Sequence, residues 1–258
     1  MSFNTGVGTR TAVVTGAASL RGIGFHTAVR FAQEGWALAL IDLNEDGLAQ
    51  AAAAVRERVP GVQVAAFALD VTDETAVTTV AGKVAASELP TVGALCNIAG
   101  IPSPSSFLEL TRSEWDRVMA VNLTGPFLLS QAFVPQMIDG GYGRVVNMSS
   151  VTAQHGGGVF SKTSYAAAKA GVLGLTRGMA RELAEHGITV NAVAPGVVDT
   201  DIRVGSDDDT ERALAAAVPL KRQARPEEIA ALFVWLCCKD SAYITGTTQS
   251  INGGTYVA

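Results

Sequence analysis

Tyr165 and Lys169 stand four positions apart in Tyr-Ala-Ala-Ala-Lys. Residues at that spacing share a face of a helix, so an ammonium would lie beside a phenol. A free tyrosine loses its proton only near pH ~10, and a neighbouring positive charge favours the phenolate and lowers that value. Such a phenol can take a proton from an alcohol or return one to a forming alkoxide. Ser149 and Ser150 precede it, and a hydroxyl there can hydrogen-bond a substrate oxygen as negative charge develops. Thr152 is a further hydroxyl in range: Ser150 and Thr152 lie 15 and 13 positions before Tyr165. Asn122 falls in a long helical pattern, where a buried amide is costly unless paired. A Tyr/Lys pair alone is common on protein surfaces, and only its company makes it specific.

A second group suits a different task. Thr15-Gly16-Ala17-Ala18-Ser19-Leu20-Arg21-Gly22-Ile23-Gly24 joins a strand to a helix. Glycines in such a turn let the backbone approach a pyrophosphate, and the helix N-terminus supplies free N–H groups and a positive dipole end. Asp42 ends the following strand, where a carboxylate accepts hydrogen bonds from adenosine ribose hydroxyls and repels a 2′-phosphate, favouring NAD over NADP. Arg21, inside the loop, could instead pair with a 2′-phosphate. Asp42 weighs more because the sheet fixes its place, and the enlarged loop should carry Arg21 outward.

The elements that must position these groups alternate. Short apolar strands are expected at Ala12–Thr15, Leu38–Asp42, Val64–Leu69, Ala94–Asn97, Val145–Met148, Thr189–Ala194 and near Gln249–Ile251. They are almost continuously apolar, as strands buried on both faces are. Phe25, Ala28, Val29 and Ala32 follow helical spacing. Asn44 to Arg58, Asp73 to Glu88, Ser113 to Ile138, Ser164 to His186 and Pro226 to Cys238 also read as helices. Strand–helix alternation implies an α/β doubly wound parallel sheet, Rossmann-like, of about seven strands with helices on both faces, forming a single domain over 1–258. Ligands of such sheets bind at the carboxyl ends of the strands, where both groups of residues fall.

On these motifs the chain resembles a single-domain short-chain dehydrogenase/reductase over nearly its whole length. That family usually has TGxxxGxG; here the motif is TGxxxxxGxG, two residues longer, so the loop must bulge. The resemblance implies a catalytic tetrad of Asn122, Ser150, Tyr165 and Lys169, with Asn122 helping to hold a water that links Lys169 to solvent. Ser149 and Thr152 are the lesser options for the serine. The resemblance assigns the cofactor to Gly16, Arg21, Gly22, Ile23 and Gly24, to Asp42, and to Asp70 and Val71 after the third strand. It adds Asn97, Ala99 and Gly100 of an NNAG-like segment, whose Asn97 either lines the cofactor or stabilises the central sheet. Tyr165 and Lys169 also touch the cofactor, and Pro195, Gly196, Val198 and Thr200 hold the nicotinamide carboxamide. A mobile lid is expected at about 199–219. Pro102–Phe107, Thr152–Thr163 and Ile202–Pro219 should build the substrate pocket, which His155 could line.

The activity implied is NAD(H)-dependent interconversion of a secondary alcohol (a polyol, sugar, cyclic alcohol or hydroxy acid derivative) and its ketone. A 3-oxoacyl-thioester reductase would use the same residues, but such reductions commonly draw on NADPH, against Asp42. A non-catalytic dinucleotide-binding sensor should have lost part of the tetrad, which is complete.

Bulk properties narrow the partners. The net charge of -5, with no run of Lys or Arg, argues against nucleic acid, which needs a basic face. Charged residues make up only 17%, below the usual quarter or so, which fits a covered surface and a homo-oligomer. The resemblance makes this a homotetramer, in which the long helices from Ser113 and Ser164 pair across a two-fold axis. Three cysteines without CxxC spacing suggest free buried thiols in a reducing cytoplasm. The three histidines are scattered, so no metal site is expected. No apolar h-region is visible at the start, and no uninterrupted apolar run approaches the ~18 residues of a membrane span.

Overall fold

In a computed structural model, which describes residues 9–158, 160–202 and 207–257, seven strands form one parallel sheet. They are β1 (Thr11–Thr15), β2 (Ala37–Asp42), β3 (Val64–Ala68), β4 (Val92–Asn97), β5 (Gly143–Met148), β6 (Ile188–Pro195) and β7 (Thr248–Ile251). Their order is β3-β2-β1-β4-β5-β6-β7, and every neighbouring pair is parallel. The doubly wound Rossmann-like sheet is thus observed.

Successive side chains of a strand point to opposite faces, and the core divides accordingly. Ala12, Val14, Leu38 and Leu40 pack on one face with Phe25, Leu48 and Phe233. These last three belong to helices α1 (Ile23–Gln33), α2 (Glu45–Arg58) and, numbered in chain order, α9 (Pro226–Leu236). Val13, Ala39, Ile41 and Leu95 pack on the other with Val80, Leu129, Phe133 and Ala180. Those side chains come from α3 (Glu74–Ala85), α5 (Gly125–Asp139) and α7 (Thr163–Leu183). Both faces of the central strands are therefore covered, which is why β1, β2 and β4 do not alternate apolar and polar residues; the edge strands β3 and β7 are only partly buried.

Helix starts follow the capping residues. Asn44 accepts from the Gly47 N–H at 3.0 Å, Asp73 from Ala76 at 2.9 Å, and Asp207 from Thr210 at 2.7 Å, each satisfying a first-turn donor. Asp207 starts α8 (Asp208–Ala217) within the expected lid segment; residues 203–206 of that segment lie outside the described residues.

Two expectations are corrected. The single helix expected over Ser113–Ile138 is interrupted: α4 (Arg112–Met119) passes through a π turn at Ala120–Thr124 before α5 begins. Pro126 has no N–H to give the Asn122 carbonyl four residues back, and a widened turn relieves that mismatch. The stretch Arg112–Asp139 is also long and apolar enough, by length and composition, to cross a membrane, with half of its most apolar window buried in the fold. Counting only uninterrupted apolar residues missed it, because Asn122, Ser130 and Gln131 punctuate the run. A short helix, α6 (Thr152–His155), was not anticipated.

Candidate active site

The strand ends open into a cleft of about 490 Å³. Gly16, Gly22, Ile23, Gly24 and Asp42 line one part, Ala99 and Gly100 the floor, and Pro195, Gly196, Val198 and Thr200 the far side. Ser150, Tyr165 and Lys169 line the same cleft. Residues from distant parts of the sequence thus converge at the carboxyl edge of the sheet.

The glycine loop is shaped for close approach. Gly16 adopts a left-handed φ of 68°, and a Cβ there would lie 3.0 Å from the Ala99 backbone. A Cβ on Gly24 would collide with the Gly16 carbonyl, so α1 can start this close to β1 only without a side chain. Gly22 provides the N-cap of α1 and no side chain caps its first turn; those N–H groups remain open to an anion. Thr15, not singled out from the sequence, pins the loop: its hydroxyl accepts from the N–H groups of Ile98 and Ala99 at 2.9 and 3.0 Å. A threonine directly before the first glycine was the only signal of it.

The two added residues form a turn in which the Gly22 N–H meets the Ser19 carbonyl at 2.9 Å. Arg21 projects outward and is 63% exposed, with Nη2 2.8 Å from Asp199 and Nε 3.4 Å from Asp201. Ser19 donates to Asp201 at 2.8 Å. A polar clasp therefore joins the glycine loop to the segment after β6, and Arg21 does not line the cleft. Asp42 accepts from the Ala18 N–H at 3.0 Å on one carboxylate oxygen and from the Asn44 N–H at 3.1 Å on the other, and each oxygen can accept a further hydrogen bond.

Three other expected cofactor residues lie outside the lining. Asp70 accepts from the N–H and hydroxyl of Thr72 at 2.9 and 2.7 Å. Val71 is buried, and a Cβ on Gly125 would fall 2.9 Å from its side chain. The Asn97 side chain turns into the core, donating to Asn147 at 2.8 Å and Ser130 at 3.2 Å. Of the two roles considered for Asn97, the geometry matches sheet stabilisation, because Asn97 and Asn147 are register partners on β4 and β5.

The two serines separate cleanly. Ser149 donates to the Lys169 carbonyl at 2.9 Å and serves the backbone of α7. Ser150 donates to Thr152 at 3.1 Å and lies close to the Tyr165 phenol, both lining the cleft. Thr152 stands behind Ser150 rather than in its place. Lys169 donates to the Met148 carbonyl at 2.8 Å, and its Nζ lies 5.6 Å from the Tyr165 ring centre. Burial pushes the Tyr165 phenol up to about 12, an effect the neighbouring Ser150 hydroxyl only partly opposes. Burial also brings the Lys169 ammonium down to about 7. The lowering of the phenol expected from Lys169 is therefore not the net effect, because burial disfavours the charged form of each group.

Asn122 sits in the π turn, fully buried, and donates to the carbonyls of Ile101 and Val118, each at 3.0 Å. Its Oδ1 has no hydrogen-bond partner among the described residues. A Cβ on Gly100 would come 2.6 Å from that oxygen and 3.4 Å from Lys169 Nζ, so the unsatisfied acceptor faces the region beside the lysine. A buried unpaired oxygen suits a bound water.

On the substrate side Pro102, Thr152, His155, Phe160, Ile202 and Leu214 line the cleft, whereas Phe107 is exposed and does not; Val159 lies outside the described residues. Cys96, Cys237 and Cys238 are free and buried.

Comparison with known proteins agrees along the chain. A family model described as enoyl-(acyl carrier protein) reductase matches residues 16–256. An uncharacterized short-chain type dehydrogenase/reductase of Sinorhizobium fredii is 41% identical over 251 residues, covering 96% of this chain and 98% of that protein. A (3R)-3-hydroxyacyl-CoA dehydrogenase of Rattus norvegicus is 37% identical over 255 residues, covering 95% and 96%. A 3-oxoacyl-(acyl-carrier-protein) reductase of Thermotoga maritima is 37% identical over 245 residues, covering 95% and 97%.

Proposed function

The chain belongs to the short-chain dehydrogenase/reductase family, and from that premise we propose that it is a cytoplasmic NAD(H)-dependent oxidoreductase interconverting a secondary alcohol and its ketone, with Tyr165 as the acid/base. One observation carries this reading: Ser150, Tyr165 and Lys169 open into the same cleft as the uncapped glycine cradle.

Each residue then has a task. Tyr165 removes the hydroxyl proton of an alcohol or returns it to a carbonyl oxygen. Ser150 holds the reacting oxygen and stabilises the charge it gains. Lys169, lying against the phenol ring, favours the phenolate whenever it carries its proton. The unsatisfied Asn122 oxygen holds a water beside Lys169, through which that amine exchanges protons with solvent. Gly16, Gly22 and Gly24 would cradle the pyrophosphate, Asp42 the adenosine ribose, and Pro195, Gly196, Val198 and Thr200 the carboxamide. When bound, the nicotinamide supplies the hydride acceptor or donor.

Asp42 supports NAD over NADP. Two charges about 4 Å apart at an effective dielectric of about 20 interact by roughly 4 kcal/mol, and a third of that is about tenfold in affinity. Arg21, held by Asp199 and Asp201, has little left to offer a 2′-phosphate. The relatives named for 3-hydroxyacyl-CoA and 3-oxoacyl-(acyl-carrier-protein) favour, as a second reading, a 3-hydroxyacyl or 3-oxoacyl thioester as the alcohol/ketone pair.

A panel of polyols, sugars, cyclic alcohols and 3-hydroxyacyl-CoA thioesters, followed by NADH absorbance, tests both readings. Activity with NAD should exceed that with NADP at least about tenfold in kcat/KM, Asp42→Ala should erode the preference, and Arg21→Ala should leave it. Tyr165→Phe should lose about 10²–10⁴-fold in turnover while still binding NADH. An NADP preference that disappears in Arg21→Ala would reverse the assignment.

A further inference from the structure

The substrate side of the cleft is walled by two segments, residues 101–111 before α4 and the described residues 156–158 and 160–162 between α6 and α7. They are joined at Ser103, which forms an isolated parallel bridge with Ser161 and whose carbonyl accepts from the Lys162 N–H at 2.9 Å. Pro102 and Ser161, on either side of this junction, line the cleft.

A chain of hydroxyls fixes the junction to α4. Ser164 Oγ donates to Ser103 Oγ at 2.5 Å, and Ser103 Oγ donates to Glu114 Oε1 at 2.7 Å. Ser105 Oγ donates to the other carboxylate oxygen at 2.6 Å. Ser103 and Ser164 are completely buried. Each serine has one proton to give, so a line of serines donating in one direction must end on an acceptor without a proton of its own. A carboxylate accepts on both oxygens, and hydrogen bonds to a charged acceptor are about twice as strong as neutral ones. The Ser105 and Ser103 hydroxyls hold the Glu114 carboxyl below the usual range. Ser164 is the residue before Tyr165 in the first turn of α7.

We propose that Glu114 is a positioning residue: its carboxylate sets the spacing between the two substrate-side loops and the first turn of α7, and so governs how a substrate is held against Tyr165. This rests on the function proposed above. None of these hydrogen bonds reaches the glycine loop, Asp42 or Thr200, and the backbone at Ile98 and Ala99 is held separately by Thr15, so cofactor binding should not depend on Glu114.

Glu114→Ala, Glu114→Gln and Ser105→Ala test the inference through three readouts: kcat and KM for an active alcohol of the panel, NADH affinity by fluorescence titration, and amide exchange. Glu114→Ala should raise KM or lower kcat so that kcat/KM falls at least about tenfold, with the NADH Kd within about twofold of the parent. Glu114→Gln keeps one accepting oxygen and should fall between. Faster exchange should be confined to residues 101–106 and the first turn of α7. A kcat/KM within twofold of the parent, or an NADH Kd that weakens in parallel with it, overturns the proposal. If Glu114→Ala does not fold, Ser105→Ala, which removes one donor and leaves the buried serines paired, decides by the same criteria. Should the parent turn over no alcohol at all, the functional reading fails, and the exchange data still decide whether Glu114 holds the wall.

Discussion

Ser149 and Ser150 are chemically identical neighbours with different partners, one serving the backbone of α7 and the other donating to Thr152 close to the phenol of Tyr165. Ser150→Ala should therefore reduce turnover more than Ser149→Ala or Thr152→Ala, in steady-state kinetics with one substrate; a larger loss at Thr152 would move the reacting oxygen to that hydroxyl. The buried pair behind Ser150 also leaves a signature in stability. Lys169 is brought down to about 7 in the folded protein, so between pH 7 and its unfolded value near 10.5 the unfolded chain binds the extra proton. Stability then rises with pH across that window, by up to about 1.4 kcal/mol per unit from this group. Tyr165, raised to about 12, holds its proton longer when folded and reverses the trend above pH ~10. Urea midpoints of the unliganded protein should climb between pH 7 and about 8.5, below the range in which the buried Cys96 and Cys238 thiols, raised on folding, oppose the trend; Lys169→Met should flatten the climb, and an unchanged slope in that variant contradicts the buried-amine account. The sequence made these residues legible as a set, since type and spacing name Tyr165 and Lys169. It could not show the net effect of burial on them, because desolvation depends on everything packed around them.

The start of α1 and the π turn before α5 place the two ends of the site. Gly24 lets the first turn of α1 ride over the Gly16 carbonyl. Gly24→Ala would have to push the helix off the strand end, so NADH affinity should drop by more than about tenfold, with a lower Tm as well; titration and thermal melts report both. Strand and helix positions were readable from apolar runs and caps because those signals are local. The π turn was not: Pro126 was visible, but the widened turn it demands places Asn122 by a mismatch that helical periodicity averages away. The inward turn of Asn97 was equally hidden, because its partners Asn147 and Ser130 meet it only through the β4–β5 register and the packing of α5.

For the molecule as a whole, the low charged fraction and exposed apolar side chains such as Leu108 and Tyr243 suit a covered surface, and we propose a homotetramer. Light scattering at micromolar concentration should give about four times the 26.6 kDa chain mass; a single-chain mass refutes it. The strand order has one more consequence, concerning synthesis. β1 lies between β2 and β4, yet β4 begins at Val92. As the chain leaves the ribosome, β1, α1 and β2 can pair while the opposite edge of β1 stays bare until β4 emerges. That edge is Thr11–Thr15, uncharged and without proline, the kind of open template that recruits another strand. During that interval the bare edge of β1 exposes the nascent chain to mispairing, and translation rate and chaperone supply become determinants of how much protein is recovered.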